Sequence, residues 1–357
     1  FAGAYREAGL RRGDEILIFL RHTPALHGAF FGAMLGGFVP SFMPCSSPRQ
    51  DPAIYWSSHQ TLLERTMPAG IVADRATFAE IDGAGLRLGS ARRFFLEELP
   101  RADADFDPLA VRETALLQHS SGTTGLKKGV ALSYEAILAQ IASYRRALSI
   151  GTDDVVVSWL PLYHDMGLIA CAVMPAFLGV PIVQIDPFFW IARPRSLFDA
   201  IARYRGTLAW LPNFAFEHLT RVAARDAPRF DLSGMKAFID CSEPCKAATL
   251  DRFRSAFAAA GVRAEHLRCC YAMAEAVFAV TQTAPGEMPR RIRVDPASIA
   301  RGNRPVPVPT GGVELVEAGT AIDGVTLTIH DEARNPVPDA TVGEIVIRAP
   351  FLFTHYN

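Results

Sequence analysis

The chain has 357 residues, 50% of them hydrophobic and 23 of them Phe, enough apolar material to bury a large interior divided into two or three subdomains. Its 36 basic and 37 acidic residues leave a formal charge of -1. With no Lys/Arg run longer than two, this balance argues against disorder and against a nucleic-acid partner.

The first residues form a helix-like stretch around Arg6 and Glu7 without the charged head and apolar run of a secretion signal. A cytoplasmic protein is expected, with Phe1 a cut and not a natural terminus. Gly13 and Asp14 turn the chain into an apolar strand over 15–20; small and apolar residues at helical spacing over 25–36, then a strand at Val39, complete a strand, helix, strand unit. Short apolar runs over 70–73, 115–118, 155–159, 182–185, 207–211 and 237–239 predict further strands, and 133–148, 196–204 and 247–260 predict helices. Strands alternating with helices imply parallel sheets covered on both faces.

The uncharged stretch 166–185 has about the length of a membrane span, but Gly167, Pro175, Gly179 and Pro181 interrupt it. A buried helix followed by a strand is expected there, and no membrane span. After Thr283 prolines and glycines crowd 284–312, and alternating apolar residues over 325–330 and 342–348 predict a smaller antiparallel unit. The expected division is therefore 1–283 and 284–357. Six cysteines, at 45, 171, 241, 245, 269 and 270, show neither a CxxC pair nor an extracellular disulfide spacing and read as reduced, buried thiols. The spacing of Cys241, Cys245, Cys269 and Cys270 fits none of the usual zinc frames.

Residues 120–129 read SSGTTGLKKG and hold two of the chain's four lysines. Gly122 and Gly125 allow a tight backbone whose amides face an anion, Ser120, Ser121, Thr123 and Thr124 add hydroxyls, and Lys128 adds compact positive charge. The pattern is not the Walker GxxxxGK[ST], and its apolar flanks over 115–119 and 130–133 predict a hairpin capped by the loop. A solvated turn has the same local composition.

Three constellations stand at predicted strand ends, where an α/β protein keeps its chemistry. WLPLYHDMGL over 159–168 sets Tyr163, His164 and Asp165 before a glycine that opens a helix, a place where Asp165 also suits a helix cap. IDCSEP over 239–244 carries Glu243 but alone reads equally as a turn. CYAMAE over 270–275 is a strand ending in one carboxylate, which by itself is commonly just solvated. Together, a phosphate loop, Tyr271 to stack on a base and Glu275 to hold a hard cation are the parts of a nucleotide site with magnesium.

These residues resemble the adenylate-forming superfamily of acyl-CoA synthetases, luciferases and adenylation domains, and within it most of all the fatty acyl-AMP ligases. SSGTTGLKKGV resembles the family's phosphate loop, YAMAE its YGxTE or YGxAE motif and GEIVIRAPF its GEIxVxGPS strand. For the ligase branch the similar pieces are PLYHDMGLI over 161–169, RYRGT over 203–207, PNFAF over 212–216 and SEP over 242–244. The resemblance runs from about Ala8 to Tyr356.

The resemblance implies an α/β fold of two doubly wound subdomains plus a small β-rich one, with a ligase-type insertion near 288–309 and a C-terminal lid domain absent from the chain. It implies ATP and Mg as cofactors, and adenylation of a fatty-acid-like carboxylic acid for passage to an acyl carrier protein. Ser120, Ser121, Gly122, Thr123, Thr124, Gly125 and Lys128 would hold the β- and γ-phosphates, and Glu275 the magnesium. Tyr271, Ala272, Met273 and Ala274 would line the adenine pocket with Ser242, Glu243 and Pro244. His164 would stand at the mouth of the acyl site, so Lys128, His164 and Glu275 carry the chemistry.

The apolar stretch 168–178 and Phe188, Phe189, Trp190, Trp210, Phe214 and Phe216 are read as walls of an acyl tunnel or as ordinary core. Ile292, Val294, Ile299 and Val306 are expected to anchor the insertion. Lys127, Ala272, Cys241, Ala349 and His355 depart from the family's Pro and Gly residues, and a Cβ added beside a ligand weakens a close contact. An acyl-CoA synthetase and a noncatalytic relative remain the alternatives.

Overall fold

A computed structural model describes residues 1–45, 51–99, 113–120 and 128–357. They gather into two compact units, one of Phe1–Ile137, Pro161–His164 and Phe353–Asn357, the other of Leu138–Leu160 and Asp165–Leu352.

In the first unit β1 (Glu15–Phe19), β2 (Val39–Phe42), β3 (Gly70–Ala73) and β4 (Arg92–Phe95) form a parallel sheet in the order β2-β1-β3-β4. The helix Pro24–Leu35 makes the crossover from β1 to β2, with Pro in its first turn, where a missing N–H costs nothing. It buries Leu26, Ala29, Phe30, Ala33 and Met34. The helices Pro52–Thr66 and Arg75–Gly83 each open on an aspartate cap, Asp51 accepting from the Ala53 N–H at 2.8 Å and Asp74 from the Thr77 N–H at 2.7 Å. Leu17, Phe19, Trp56, Ile71 and Phe78 fill the space between sheet and helices.

A second, antiparallel sheet of this unit places β6 (Lys128–Ser133) between β5 (Thr114–Ser120) and the strand His355–Tyr356. Ser120 pairs with Lys128, so the predicted hairpin is present. Gly129 has to be small: a Cβ there would meet the Asn357 Cβ at 3.1 Å and the His119 ring at 3.3 Å.

The strands of the second unit are β7 (Val156–Ser158), β8 (Ile182–Gln184), β9 (Leu208–Leu211), β10 (Ala237–Asp240), β11 (Leu267–Ala272), β12 (Ala279–Gln282), β13 (Arg291–Val294), β14 (Val313–Val316), β15 (Thr320–Ala321), β16 (Thr326–His330) and β17 (Glu344–Arg348). One sheet runs in the order β15-β12-β11-β10-β9-β7-β8, parallel from β11 to β8 and closed by antiparallel β12 and β15. The apolar runs of β7, β9 and β10 are buried throughout, as a sheet covered on both faces requires. Phe198, Phe216, Phe238, Phe253 and Phe257 pack edge to face between this sheet and its helices, with Phe198 to Phe257 at 4.8 Å and Phe238 to Phe253 at 5.4 Å. β13 with β14 and β16 with β17 form separate two-stranded antiparallel ladders.

The predicted fold class is what the structure shows: parallel sheets with helices, and antiparallel ladders late in the chain. The stretch 166–185 is a buried helix and then a strand, as expected. Met166–Val173 is wound in the wide π form and wholly buried, Met174–Leu178 follows, and Gly179 ends it at φ 68°. Among the described residues no helix is long and apolar enough to cross a membrane.

Other expectations need correction. Cys45 and Cys245 are only half-buried, because both sit in loops just past a strand end. Of the four proposed anchors of 288–309, only Val294 is fully buried; Ile292, on the same face of β13, and Val306 are exposed, so the short β13–β14 ladder is covered only at its Val294 end.

Candidate active site

Ser120 and Lys128 close the β5–β6 hairpin in the first unit. Ser121, Gly122, Thr123, Thr124, Gly125 and Lys127 lie outside the described residues, as do the side chains of Ser120 and Lys128. His164 belongs to the same unit, is exposed, and sets its ring 4.9 Å from that of Tyr163.

The other predicted residues fall in the second unit, at the C-terminal ends of its parallel strands. Tyr271 sits late in β11, where the register with β12 slips, and its N–H donates to the Thr281 hydroxyl at 3.2 Å. The chain then makes a closed turn: Met273 N–H donates to the Phe278 carbonyl at 2.9 Å, Val277 N–H to Ala274 at 3.0 Å and Phe278 N–H to Ala276 at 2.6 Å. Val277, at φ 62° and ψ -54°, adopts the rare γ-turn conformation, which costs a β-branched residue about 1–3 kcal/mol. Buried Ala276, Val277 and Phe278 hold that strain. Glu275 stands at the tip of this turn, half-buried.

Asp165, read from the sequence as a helix cap, does cap Met166–Val173, its Oδ1 accepting from the Met166 N–H at 2.8 Å. Its carboxyl lies within electrostatic reach of Glu275. Burial and the Glu275 charge together push its carboxyl up to about 6. Burial first and Glu275 second also raise the Tyr271 phenol. Glu275, half-buried on this turn, offers the kind of carboxylate oxygen that a hard cation such as magnesium takes.

The adenine-loop candidates follow β10. Ser242 takes φ 71°, unusual for a residue with a Cβ, and its hydroxyl points to the Met166 sulfur at 3.7 Å. Glu243 accepts from the Phe214 N–H at 2.9 Å, an N-terminal contact on the helix Asn213–Ala223. Asp240, at the end of β10, is pushed up to about 7 by burial and by nearby Glu243, although Asn213 donates to it at 2.7 Å. Of the aromatics read as tunnel or core, Trp190, Trp210 and Phe216 are buried while Phe188, Phe189 and Phe214 are exposed. Trp210 has a core role, donating to the Tyr144 hydroxyl at 2.9 Å, which donates on to Gln282 at 2.8 Å.

The α/β frame, with parallel sheets whose C-terminal strand ends carry these residues, belongs to a class shared by many nucleotide-handling proteins, and residues 1–357 match the family of AMP-binding enzymes throughout. The chain belongs to that family. Among curated proteins it is 31% identical over 252 residues to a 4-hydroxyphenylalkanoate adenylyltransferase of Mycobacterium marinum, covering 69% of this chain and 40% of that protein. It is 32% identical over 246 residues to a long-chain-fatty-acid AMP ligase of the same organism, covering 67% and 42%. A medium-chain-fatty-acid acyl-carrier-protein ligase of Teredinibacter turnerae is 31% identical over 252 residues, covering 68% and 38%. The chain thus spans about 40% of the length of the curated relatives it matches.

Among solved structures, one from a study of fatty acyl-adenylate ligases from E. coli and L. pneumophila superimposes with a TM-score of 0.92 at 24% identity, over 99% of this chain and 65% of that one. A fatty acid AMP ligase from Legionella pneumophila gives 0.90 at 24%, over 99% and 62%.

Proposed function

We propose that the protein adenylates a fatty or similarly apolar carboxylic acid with ATP and passes the acyl group to an acyl carrier protein. The observation that carries the reading is the match of residues 1–357 to the AMP-binding enzymes, with Glu275 held on a strained turn at the C-terminal end of β11. The named ligase relatives support the substrate class and the carrier.

In this reading an oxygen of the acid bonds to the α-phosphorus of ATP as the bond to pyrophosphate breaks. Two anions must meet, so the work is charge neutralisation and alignment. The loop amides and hydroxyls of 120–125 with Lys128 hold the leaving polyphosphate, Tyr271 to Ala274 and Ser242 to Pro244 bound the base, and His164 lies at the entry of the acid. Glu275 would hold magnesium, whose charge offsets that of the phosphates. We assign residues 284–357 to a small β-rich subdomain carrying the ligase-type insertion, and the protein to the cytoplasm.

Pyrophosphate exchange by the full-length protein with acids of increasing chain length tests the proposal. Exchange that depends on an apolar acid and on ATP is expected, and no exchange with any such acid overturns it. Efficient acyl-CoA formation from ATP, fatty acid and CoA would replace the carrier protein by CoA.

A further inference from the structure

The four thiols near the ends of β10 and β11 are sorted by strand register. Asp240 pairs with Cys269 across the two parallel strands. Cys245, reached by the turn through Ser242 and Pro244, returns to the same spot, with its sulfur 3.7 Å from the Asp240 carbonyl oxygen. One ligand atom each from Asp240, Cys245 and Cys269 lie within 4.8 Å of one another. Cys241 is drawn to Cys270 instead, so the grouping is not the four-cysteine set weighed from the sequence.

Asp240 supplies a second, independent observation. It is fully buried; Oδ2 accepts from the Asn213 amide at 2.7 Å, and Oδ1 meets no N–H or O–H donor, only the weak S–H of Cys245 reaching the carboxyl. Buried carboxylates are ordinarily paired or metal-bound. Arg291 approaches Cys269, but Asp251 holds its guanidinium in two hydrogen bonds of 2.7 and 3.0 Å.

We propose that Asp240, Cys245 and Cys269 bind a thiophilic divalent cation of the Zn²⁺ class, at a site separate from Glu275. Two sulfurs and one carboxylate oxygen leave the fourth tetrahedral position to water, which enters past half-buried Cys245. On binding, two S–H protons pass to solvent as two metal–sulfur bonds form, and the Asp240 carboxylate adds a metal–oxygen bond. Sulfur donors select against magnesium. The ion ties both ends of the 240–245 loop to β11, fixing the left-handed Ser242 between them.

The test uses reduced, chelator-treated full-length protein with Co²⁺ as the probe and needs no turnover, so it stands or falls apart from the adenylation reading. Wild-type protein is expected to develop thiolate-to-cobalt charge-transfer absorbance in the near ultraviolet, to release about two protons per ion, and to lose the band on adding Zn²⁺. Cys245→Ser should abolish the band, Asp240→Asn should weaken binding about 10-fold or more, and Cys45→Ser should change nothing. The proton count, measured on wild-type protein, guards against a variant that fails to fold. Absence of the band, its survival in Cys245→Ser, or release of fewer than about one proton per ion overturns the site.

Discussion

The two ends of the parallel sheet in the second unit treat buried carboxylates in opposite ways. At the N-terminal end, just before β7, Asp154 is fully buried and fully answered. The Lys236 ammonium, the Thr207 hydroxyl and the Gly151 N–H reach it at 2.8, 2.7 and 2.8 Å. Burial pushes its carboxyl up, but these partners more than offset that and hold it below the usual carboxylate value. At the C-terminal end Asp165 and Asp240 are pushed up to about 6 and about 7, with like charges from Glu275 and Glu243 adding to burial. The first arrangement favours the charged carboxylate; the second favours the protonated carboxyl.

The strongest test of that contrast removes charge at the C-terminal end. Glu275→Gln in the full-length enzyme should lower pyrophosphate exchange by about 100-fold or more across magnesium concentrations, with little change in Tm. Wild-type exchange in that variant would reduce Glu275 to a solvated turn residue. Next comes the hairpin of the other unit, which serves as a control outside the sheet. Lys128→Ala should weaken ATP binding about 10-fold or more, since a charge-assisted contact is worth about 1.5–3 kcal/mol, and calorimetry would read the loss.

At the N-terminal end the expected effect lies on stability alone. Lys236→Met should cost about 1–2 kcal/mol, discounted because Lys236 is 45% exposed, and should leave ATP binding unchanged. A loss of ATP affinity without a fall in Tm would erase the distinction between the two ends.

The smallest effect is a pH dependence of opposite sign at the two ends. Asp240, raised in the folded state from 3.8 to about 7, lowers stability as pH rises through that window. Metal-free Asp240→Asn should therefore gain on wild type in Tm between about pH 4 and 7. Asp154, depressed when folded, supplies stability above its ordinary value that is lost as the pH falls through its lower folded value. The Lys236→Met deficit should accordingly shrink at the acid end of a denaturation series.

How much of this was legible in the sequence follows from what each feature depends on. The parallel strands read as unbroken apolar runs, as at Leu208–Leu211 and Ala237–Asp240, and the β5–β6 hairpin announced itself through Gly, Ser and Thr between two such runs. The helix Pro52–Thr66 was less plain: Tyr55, His59, Leu62 and Leu63 recur at helical spacing, but the intervening Ser57, Ser58, Gln60, Thr61 and Glu64 make the segment polar overall and blur that stripe.

At the candidate site Glu275 was visible as the end of a strand. Asp165, whose carboxyl feels the Glu275 charge, was visible only as a cap, because the two lie 110 residues apart in the chain. A small signal was available: both carboxylates follow the C-terminal end of a strand of one parallel sheet, the end where such sheets keep their chemistry. The grouping of Asp240 with Cys269 needed the β10–β11 register itself.

The strand His355–Tyr356 carries a consequence for biosynthesis. It lies beside β6, and Thr354, which leads into it, hydrogen-bonds to Ala131 across 223 residues of chain. At about 5–20 residues per second a ribosome takes roughly 10–45 s to cover that interval. Until then the β6 edge is a bare row of amides and carbonyls, open to pairing with any other extended chain. The nascent polypeptide therefore has a window of vulnerability at the strand that bears Lys128, and a chaperone able to hold an extended segment would be most useful in that interval.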